Sequence, residues 1–366
     1  MRIHSTKKLL DELAFTPTTD AIEEENSLFS WHANMLMINR RKTVVLMNDQ
    51  NRYVIVLHGL KAKDFKQFDV IVEQAIRQVF RAERISEEVI EQYMKAAGAV
   101  SFSKTKNRSM VARLNQACDS VWLYAAELDL ADVVNKDVSK NASRLLVGGG
   151  KVPSIYPYEE LFKDLAAFTG GNIFDTDVAV MRVSMELMEH SIWRKLIIPL
   201  DMPVREFHEV LQIVFDWQDY HLHEFYLYDE TNTDKPRKPK LNIVMDEEAF
   251  EYGNDVEMVL EEGLLLSDFI PPHTFIKYIY DFGDYWRHDI VVEEILTKQN
   301  IQSPACLEGE GTAPPEDCGG ESGFSEFLTV MSDPSDLEHE SMKEWAKMQW
   351  YREFERNFVN RRLKKL

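Results

Sequence analysis

The side chains best suited to chemistry are histidines and carboxylates that recur in short stretches of the C-terminal half. His221 and His223 stand two residues apart at the start of a predicted strand, where alternate side chains share one face of a sheet. Two imidazoles on one face can converge on a single metal ion. Asp281, Asp284 and His288 form a second polar group at a predicted strand end and turn, and a mixed set of His and Asp ligands suits zinc, manganese or iron. The spacing indicates a candidate divalent-metal site. The alternative is that the histidines bond backbone carbonyls and the aspartates cap a turn.

Glu316 and Asp317 lie in a third stretch, between Cys306 and Cys318. They offer acid–base groups or further metal ligands, or they accept hydrogen bonds within a turn made rigid by two prolines. The two cysteines are separated by eleven residues and lack the close pairing typical of structural zinc sites. With Cys118 they make three cysteines, too few and odd in number for a disulfide framework. We expect reduced thiols that pack as small buried side chains.

Aromatic side chains accompany these polar groups. Trp193, Trp217 and Trp286 all fall within the same stretches of the chain. Clustered aromatic residues usually build a core, but they can also line a cleft beside a polar site. Both interpretations stay open.

Basic side chains in the N-terminal half are candidates for contacts with an anion such as a phosphate group. They are Arg40, Arg41, Lys42, Lys104, Lys106, Arg108 and Arg113. With Trp31 and His32 nearby, they suit a single-stranded nucleic acid, whose bases stack on aromatic rings. The alternative is an ordinary solvated basic face.

The charge of the chain is divided unevenly along its length. Residues 1–150 carry a net charge of +2, whereas residues 151–366 carry −22. The acidic half repels phosphate backbones on average. The N-terminal half is therefore the better candidate for a nucleic-acid or protein partner, and the asymmetry indicates two domains with different surfaces.

Periodic patterns predict the elements that must position these residues. Alternating apolar residues predict strands at 29–38, 43–48 and 53–57, and amphipathic spacing predicts a helix at 64–82. A second helix is predicted to begin after Ser86, its N-cap, and to end near Gly98. The C-terminal half begins rich in strands and ends in helices, which is typical of the α+β class.

The predicted organisation has two domains. An N-terminal α+β domain covers residues 1–147, and a Gly-rich linker with a helix covers 148–175. A mainly antiparallel sheet with helices packed to one side covers 176–350, and a basic helical tail covers 351–366. The sequence shows no apolar run of membrane-spanning length and no signal peptide, so we expect a cytoplasmic protein without a membrane partner.

The order and content of several C-terminal segments resemble the plasmid pRiA4b ORF-3-like family. The segments are residues 192–199, 216–225, 280–289, 306–309 and 314–320, which contain the histidines, aspartates and tryptophans above. The resemblance covers about residues 176–348 and implies a link to mobile elements, with no settled activity. The resolvase label of one relative implies little here, because no nucleophilic serine stands amid arginines. Residues 1–130 resemble a separate small domain of unknown function, through 29–34, 39–42 and 104–115.

Two functional hypotheses follow. No P-loop, GxGxxG, HExxH, GxSxG or paired CxxC motif occurs in the sequence. The first hypothesis is therefore a non-catalytic binding or regulatory protein whose N-terminal half engages an anionic or protein partner. The second is a metal-dependent, hydrolytic enzyme with its His/Asp site in the C-terminal domain. No cofactor is predicted beyond the divalent metal of the second hypothesis.

Overall fold

The computed structural model describes five stretches of the chain, residues 1–13, 26–149, 152–228, 238–252 and 256–366. The chain divides into an N-terminal unit, Met1–Asp175, and a C-terminal unit, Thr176–Leu366. Both units mix helices and strands, which confirms the predicted α+β class and the presence of two domains. No helix of the described stretches combines the length and apolar character needed to cross a membrane.

A five-stranded sheet forms the centre of the N-terminal unit. Its strands are β1 (Arg2–Ser5), β2 (Ser30–Ile38), β3 (Arg41–Asn48), β4 (Val54–Leu60) and β5 (Ser101–Lys104). Their order is β4-β3-β2-β1-β5, with β2, β3 and β4 antiparallel and β1 parallel to both of its neighbours. The three consecutive strands predicted from alternation are confirmed.

Helices cover both faces of this sheet. They are α1 (Lys7–Glu12), α2 (Phe68–Ala82), α3 (Glu87–Ala97), α4 (Arg108–Leu123), α5 (Lys136–Ser143) and α6 (Pro157–Thr169), with a short hairpin of β6 (Val147–Gly149) and β7 (Val152–Ile155) before α6. Alternate residues of β3 face opposite cores: Leu46 packs with α2 and α3, whereas Val45 packs with α4 and α5. The predicted N-cap of α3 is confirmed, since the Ser86 side chain accepts a hydrogen bond from the Val89 N–H.

An eight-stranded sheet forms the centre of the C-terminal unit. Its strands are β8 (Thr176–Met185), β9 (Trp193–Pro199), β10 (His223–Tyr228), β11 (Leu241–Val244), β12 (Glu257–Leu260), β13 (Phe275–Tyr280), β14 (Trp286–Gln299) and β15 (Ala305–Glu310). The order is β12-β11-β10-β13-β14-β8-β9-β15, and every pair except β11–β12 is antiparallel. The predicted mainly antiparallel sheet is confirmed.

Four helices pack with this sheet around one large core. They are α7 (Val204–Phe215), α8 (Gly320–Ser332), α9 (His339–Met348) and α10 (Arg356–Leu363). Phe207 and Leu211 of α7 are fully buried against Phe225 of β10 and Ile290 of β14. The apolar stripe of α7 thus holds the helix over the strands whose ends carry the predicted site residues.

The division between the units, after Asp175, lies at the C-terminal end of the predicted linker. Residues 148–175 include the β6–β7 hairpin and α6, and Leu161 and Leu165 of α6 are fully buried in the N-terminal core. Gly150 of the glycine run lies outside the described residues. The predicted tail, 351–366, contains α10, whose Val359 and Leu363 are buried in the C-terminal core. Val359 and Leu363 are four residues apart and so lie on one buried face of α10. The basic residues of the tail lie on its other faces, and the basic composition alone did not indicate a buried face.

Candidate functional site

The three C-terminal stretches meet where β10 begins and its neighbour β13 ends, inside the eight-stranded sheet. His221 precedes β10, Asp281 follows β13, and Asp317 lies between β15 and α8. Because β10 and β13 are antiparallel neighbours with His223 opposite Tyr280, the residues just outside that pair are brought together. The Nε2 atom of His221 lies 3.0 Å from Asp317 Oδ1 and 3.6 Å from Asp281 Oδ2. We call these three residues the histidine–aspartate cluster.

Backbone hydrogen bonds hold Asp281 in place. Its N–H donates to the Leu222 carbonyl over 2.9 Å, and its Oδ1 accepts from the N–H groups of Gly283 and Asp284, over 2.8 and 3.3 Å. One carboxylate oxygen therefore stabilises the turn, while the other is directed at His221. This arrangement combines the turn-capping role with a ligand-like role in a single side chain.

The donor atoms of the cluster lie close enough together to share a cation. Its Nε2 atom is buried yet has no hydrogen-bond partner, although Asp317 Oδ1 is within 3.0 Å. The donor atoms of His221, Asp281 and Asp317 all lie within 4.8 Å of one another. An imidazole with two carboxylates is a donor set that suits zinc, manganese or iron and leaves coordination positions open.

Glu316 stands next to the cluster but has a different role. It is 3% exposed and accepts hydrogen bonds from the Tyr280 hydroxyl and from the Gln218 N–H, the latter over 3.0 Å. Burial raises the pKa of Glu316 and of Tyr280. Trp217 donates to the Pro314 carbonyl over 2.9 Å and stacks on Tyr280 with ring centroids 4.9 Å apart. These contacts fasten the third stretch to the first two.

His223 belongs to a second group of polar side chains. Its ring stacks on that of His208 with centroids 3.6 Å apart, and its Nε2 lies 2.9 Å from a Glu261 oxygen. His208 in turn lies 2.8 Å from Asp219 through Nε2 and 2.9 Å from the Tyr278 hydroxyl through Nδ1. We call His208 and His223 the stacked histidine pair. The predicted convergence of His221 and His223 is not what the structure shows, because they point into different groups.

The network around His208 assigns it as a neutral imidazole. Gln212 Nε2 donates to the Tyr278 oxygen over 3.0 Å, so the Tyr278 hydroxyl is free to donate to His208 Nδ1. Nε2–H then donates to Asp219. Burial lowers the pKa of His208 to about 4, which agrees with this assignment. Since both nitrogens are engaged, His208 is a weaker candidate ligand than His221.

Asp284 and His288 lie apart from the histidine–aspartate cluster. Asp284 Oδ2 accepts from the Gly319 N–H over 3.1 Å and ties the β13–β14 turn to the segment before α8. His288 is fully buried, and its Nδ1 lies 3.3 Å from the Tyr278 carbonyl. Burial lowers the pKa of His288 to about 3. His288 is therefore a core residue.

The tryptophans and cysteines have separate surroundings. Trp217 and Trp286 are buried in the core, whereas Trp193 donates to Glu310 over 3.1 Å and lies under the Arg182 guanidinium. All three cysteines are unpaired. Burial, together with nearby carboxylates such as Asp284, raises the pKa of Cys318 to about 12.

The basic residues of the N-terminal unit do not form one patch. Lys42 pairs with Glu12 over 2.6 Å, and Lys106 pairs with Asp49 over 3.3 Å. Lys104 of β5 is opposite Ser5 of β1, and Ser5 is opposite Ala33 of β2. Arg41 of β3 is opposite Ile38, also of β2. Five residues of strand separate those positions, or about 17 Å along β2. Arg40 adjoins Arg41, and Arg108 begins α4. Arg113 lies close to Arg52, an arginine that was not among the predicted residues.

Sequence reasoning missed His208, Gln212, Asp219 and Glu261. A signal for the first two existed, because His208 and Gln212 stand four apart on the otherwise apolar face of α7. Buried polar residues at that spacing predict a hydrogen-bonded network. Asp219 and Glu261 carried no comparable signal, since their partners are distant along the chain.

Comparisons with known proteins agree with the two-domain organisation. A family model described as "Plasmid pRiA4b ORF-3-like protein" matches residues 177–362, and one described as a domain of unknown function, DUF6933, matches residues 2–160. The chain is 30% identical over 169 residues to an uncharacterised protein, y4hQ, of Sinorhizobium fredii. The aligned region covers 46% of this chain and 80% of the relative. A crystal structure of a protein of unknown function from Methanosarcina mazei Go1 shares 30% identity with a TM-score of 0.39, covering 46% of this chain and 89% of that one. None of these descriptions names an activity.

Proposed function

We propose that this chain, which belongs to the plasmid pRiA4b ORF-3-like family through residues 177–362, binds a divalent metal ion at the histidine–aspartate cluster and catalyses a metal-dependent hydrolysis there. The observation that carries the proposal is the approach of His221, Asp281 and Asp317 from three separate segments to within 4.8 Å. Turn formation accounts for one oxygen of Asp281 and leaves the other donors of the cluster unexplained.

The burial of the cluster is graded in a way that suits an open metal site. The Asp281 side chain is 8% exposed, that of His221 is 27% exposed, and that of Asp317 is 56% exposed. One side of the cluster thus faces solvent, where a substrate and a water molecule have access. A bound divalent cation lowers the pKa of a coordinated water and supplies a nucleophile near neutral pH.

Metal binding is tested with conservative variants. Asp281→Asn retains an oxygen for the Gly283 and Asp284 N–H groups, and asparagine tolerates the left-handed backbone at this position, where φ is 58°. The variant thereby removes the charged ligand without removing the turn. We expect isothermal titration of chelator-treated, untagged protein with Zn²⁺ or Mn²⁺ to show one site that Asp281→Asn and His221→Gln abolish. The control, His190→Gln, alters a histidine outside the cluster and should bind normally.

Hydrolysis is tested on the same proteins. We expect chromogenic ester or phosphodiester substrates to be cleaved by the metal-loaded protein and not after chelation or in Asp281→Asn. Equal metal affinity in wild type and Asp281→Asn would contradict the site. Tight binding to the wild type alone, without turnover of any such substrate, would contradict the hydrolytic role and leave a structural metal.

A second candidate function, binding of an anion by the N-terminal unit, is favoured by Arg52. Arg52 is only 6% exposed. Its Nη2 atom donates to Gln116 Oε1 over 2.6 Å, and its buried Nε atom has no hydrogen-bond partner. Burial and the positive charge of Arg113 lower the pKa of Arg52. Two neighbouring guanidinium groups, with no ion pair to a carboxylate among the described residues, are suited to a phosphate group.

This second function is tested with a single-stranded oligonucleotide and with inorganic phosphate. We expect Arg113→Gln to weaken binding and to lower the salt dependence by about one phosphate contact. Arg77→Gln is the matched control, because Arg77 is already paired with Glu91. Equal loss in both variants would indicate only a general charge effect.

A further inference from the structure

A cleft of about 340 Å³ lies on the C-terminal sheet beside strands β10, β11 and β12. Glu224 and Tyr226 of β10 are opposite Val244 and Asn242 of β11, and Asn242 is opposite Met258 of β12. Side chains alternate between the faces of a strand, so these residues share the face opposite Phe225, Leu227 and Ile243, which pack in the core with α7. We call this space the sheet-face cleft. Its volume is that of a small-molecule site.

The charged groups that line the cleft are all carboxylates, whereas His223, Asn242, Tyr226 and Tyr285 add neutral or titratable polar groups. Glu224, Asp246 and Glu248 contribute carboxylates, and no lysine or arginine is among the described residues that line it. The cleft therefore favours a ligand that carries positive charge and N–H donors.

Asn242 gives a second and independent indication of a ligand. It is 1% exposed, and its Nδ2 donates to Glu224 Oε2 over 3.0 Å, which fixes the orientation of the amide. That orientation leaves Oδ1 buried without a hydrogen-bond partner. An unpaired buried acceptor is unfavourable, and a donor group of a ligand would satisfy it.

The remaining lining is apolar and partly exposed. Leu222 is 48% exposed, Phe282 47% and Tyr285 50%, and Val244, Met245 and Met258 add to the apolar lining. Exposed aromatic rings next to carboxylates are suited to a cation that carries an apolar body, since a ring face attracts a cation.

We propose that the sheet-face cleft binds a small organic amine, with its ammonium group at Glu224 and Asn242 and its apolar body against Phe282 and Tyr285. The cleft includes none of the three residues of the histidine–aspartate cluster. It adjoins the cluster through Leu222 and Phe282, which follow His221 and Asp281 in the chain. Binding of the amine does not require a metal ion, so this proposal and the metal site fail independently.

The experiment uses full-length, chelator-treated protein, with phenethylamine as the probe and phenethyl alcohol as its uncharged counterpart. We expect titration calorimetry to show saturable binding of the amine and at least about tenfold weaker binding of the alcohol, because a charge-assisted hydrogen bond contributes about 1.5–3 kcal/mol. Glu224→Gln should weaken amine binding by a similar factor and leave alcohol binding unchanged. Glu257→Gln is the matched control, since Glu257 is an exposed carboxylate of β12 outside the cleft lining.

Asn242→Leu separates a ligand contact from a structural role. This variant removes the unpaired oxygen and also the hydrogen bond to Glu224, whose partly exposed carboxylate can bind water instead. The two effects on stability oppose each other, so we expect the variant to fold with a stability within about 1 kcal/mol of wild type and to bind the amine more weakly. Equal affinity for amine and alcohol, unchanged amine binding in both Glu224→Gln and Asn242→Leu, or absence of binding by either probe would each overturn the proposal.

Discussion

Acid should destabilise the C-terminal unit through His288, and the effect can be calculated from its surroundings. His288 is fully buried against Phe215, Trp217 and Tyr278, and Nε2 has no hydrogen-bond partner. Burial lowers its pKa from 6.5 to about 3, and the positive charge of Arg194 acts in the same direction. Between these two pKa values the unfolded chain binds a proton at this residue and the folded protein does not. The stabilisation is therefore present above pH 6.5 and is lost as the pH falls toward 3.

The magnitude follows from that pKa difference. A pH of 4.5 is two units below the pKa of the unfolded imidazole, which is therefore protonated, and it is above the pKa of the folded imidazole, which is still neutral. With about 1.4 kcal/mol per unit, the free energy of unfolding should fall by about 2.5 kcal/mol between pH 7 and pH 4.5 on account of His288 alone. This is a large part of the stability of an ordinary domain.

The assay compares wild type with His288→Phe. Phenylalanine retains an aromatic ring in the same core position and removes both titratable nitrogens. We expect urea unfolding of the C-terminal unit to lose about 2.5 kcal/mol less between pH 7 and 4.5 in this variant. The control, His190→Gln, removes a partly exposed histidine and should retain the wild-type pH dependence. An unchanged pH dependence in His288→Phe, with normal stability at pH 7, would refute the reasoning.

Three further outcomes are expected. Zinc at a hundredfold excess over its dissociation constant should stabilise the C-terminal unit by about 2.7 kcal/mol, or about 5–10 °C in Tm, with no comparable shift in Asp281→Asn; scanning fluorimetry measures both, and equal shifts would contradict the metal site. Arg144→Met should destabilise the N-terminal unit by about 3–5 kcal/mol in urea unfolding, because it leaves the fully buried Glu83 without the two hydrogen bonds that Arg144 donates over 2.8 and 2.9 Å. The double variant Glu83→Gln, Arg144→Met should recover part of that loss, and failure to do so would show that the cost lies in packing. Cys318 should react slowly with iodoacetamide at pH 8 in the folded protein, since its pKa is raised to about 12, and quickly after denaturation; fast labelling of the native protein would contradict this burial.

Local patterns predicted the elements well, for reasons that are visible in the structure. The apolar stripe of α2 and the cap at Ser86 depend only on residues within a few positions of one another. The sequence left open whether the three C-terminal stretches meet, although each lies where a strand ends or a loop returns to the sheet. Antiparallel pairing of β10 with β13 then places the ends of those strands side by side.

The grouping of the histidines was not predictable from spacing. The rule that residues two apart share a face holds within a strand, but β10 begins at His223 and leaves His221 in the preceding bend. Asp219, whose φ is 59°, reverses the chain just before it. The partner of His223 is Glu261, beyond β12, which no local pattern can reveal. His288, in contrast, alternates with Trp286 and Ile290, and that spacing was a sign of a core position.

The backbone of the cluster itself helps to decide between turn chemistry and a ligand site. Asp281 and Asp317 have left-handed backbones, with φ of 58° and 59°, a conformation that glycine adopts with less strain. At Asp281 a carboxylate is useful to the turn, since it accepts two backbone N–H groups. The Asp317 carboxylate accepts no backbone N–H among the described residues. Its Oδ1 lies 3.0 Å from His221 Nε2 instead. A residue that only had to form this turn would be better as glycine, so the aspartate side chain is accounted for by a partner outside the turn. That asymmetry between the two aspartates supports the metal site that we propose, and under this proposal removal of Asp317 should weaken metal binding while leaving the fold unchanged.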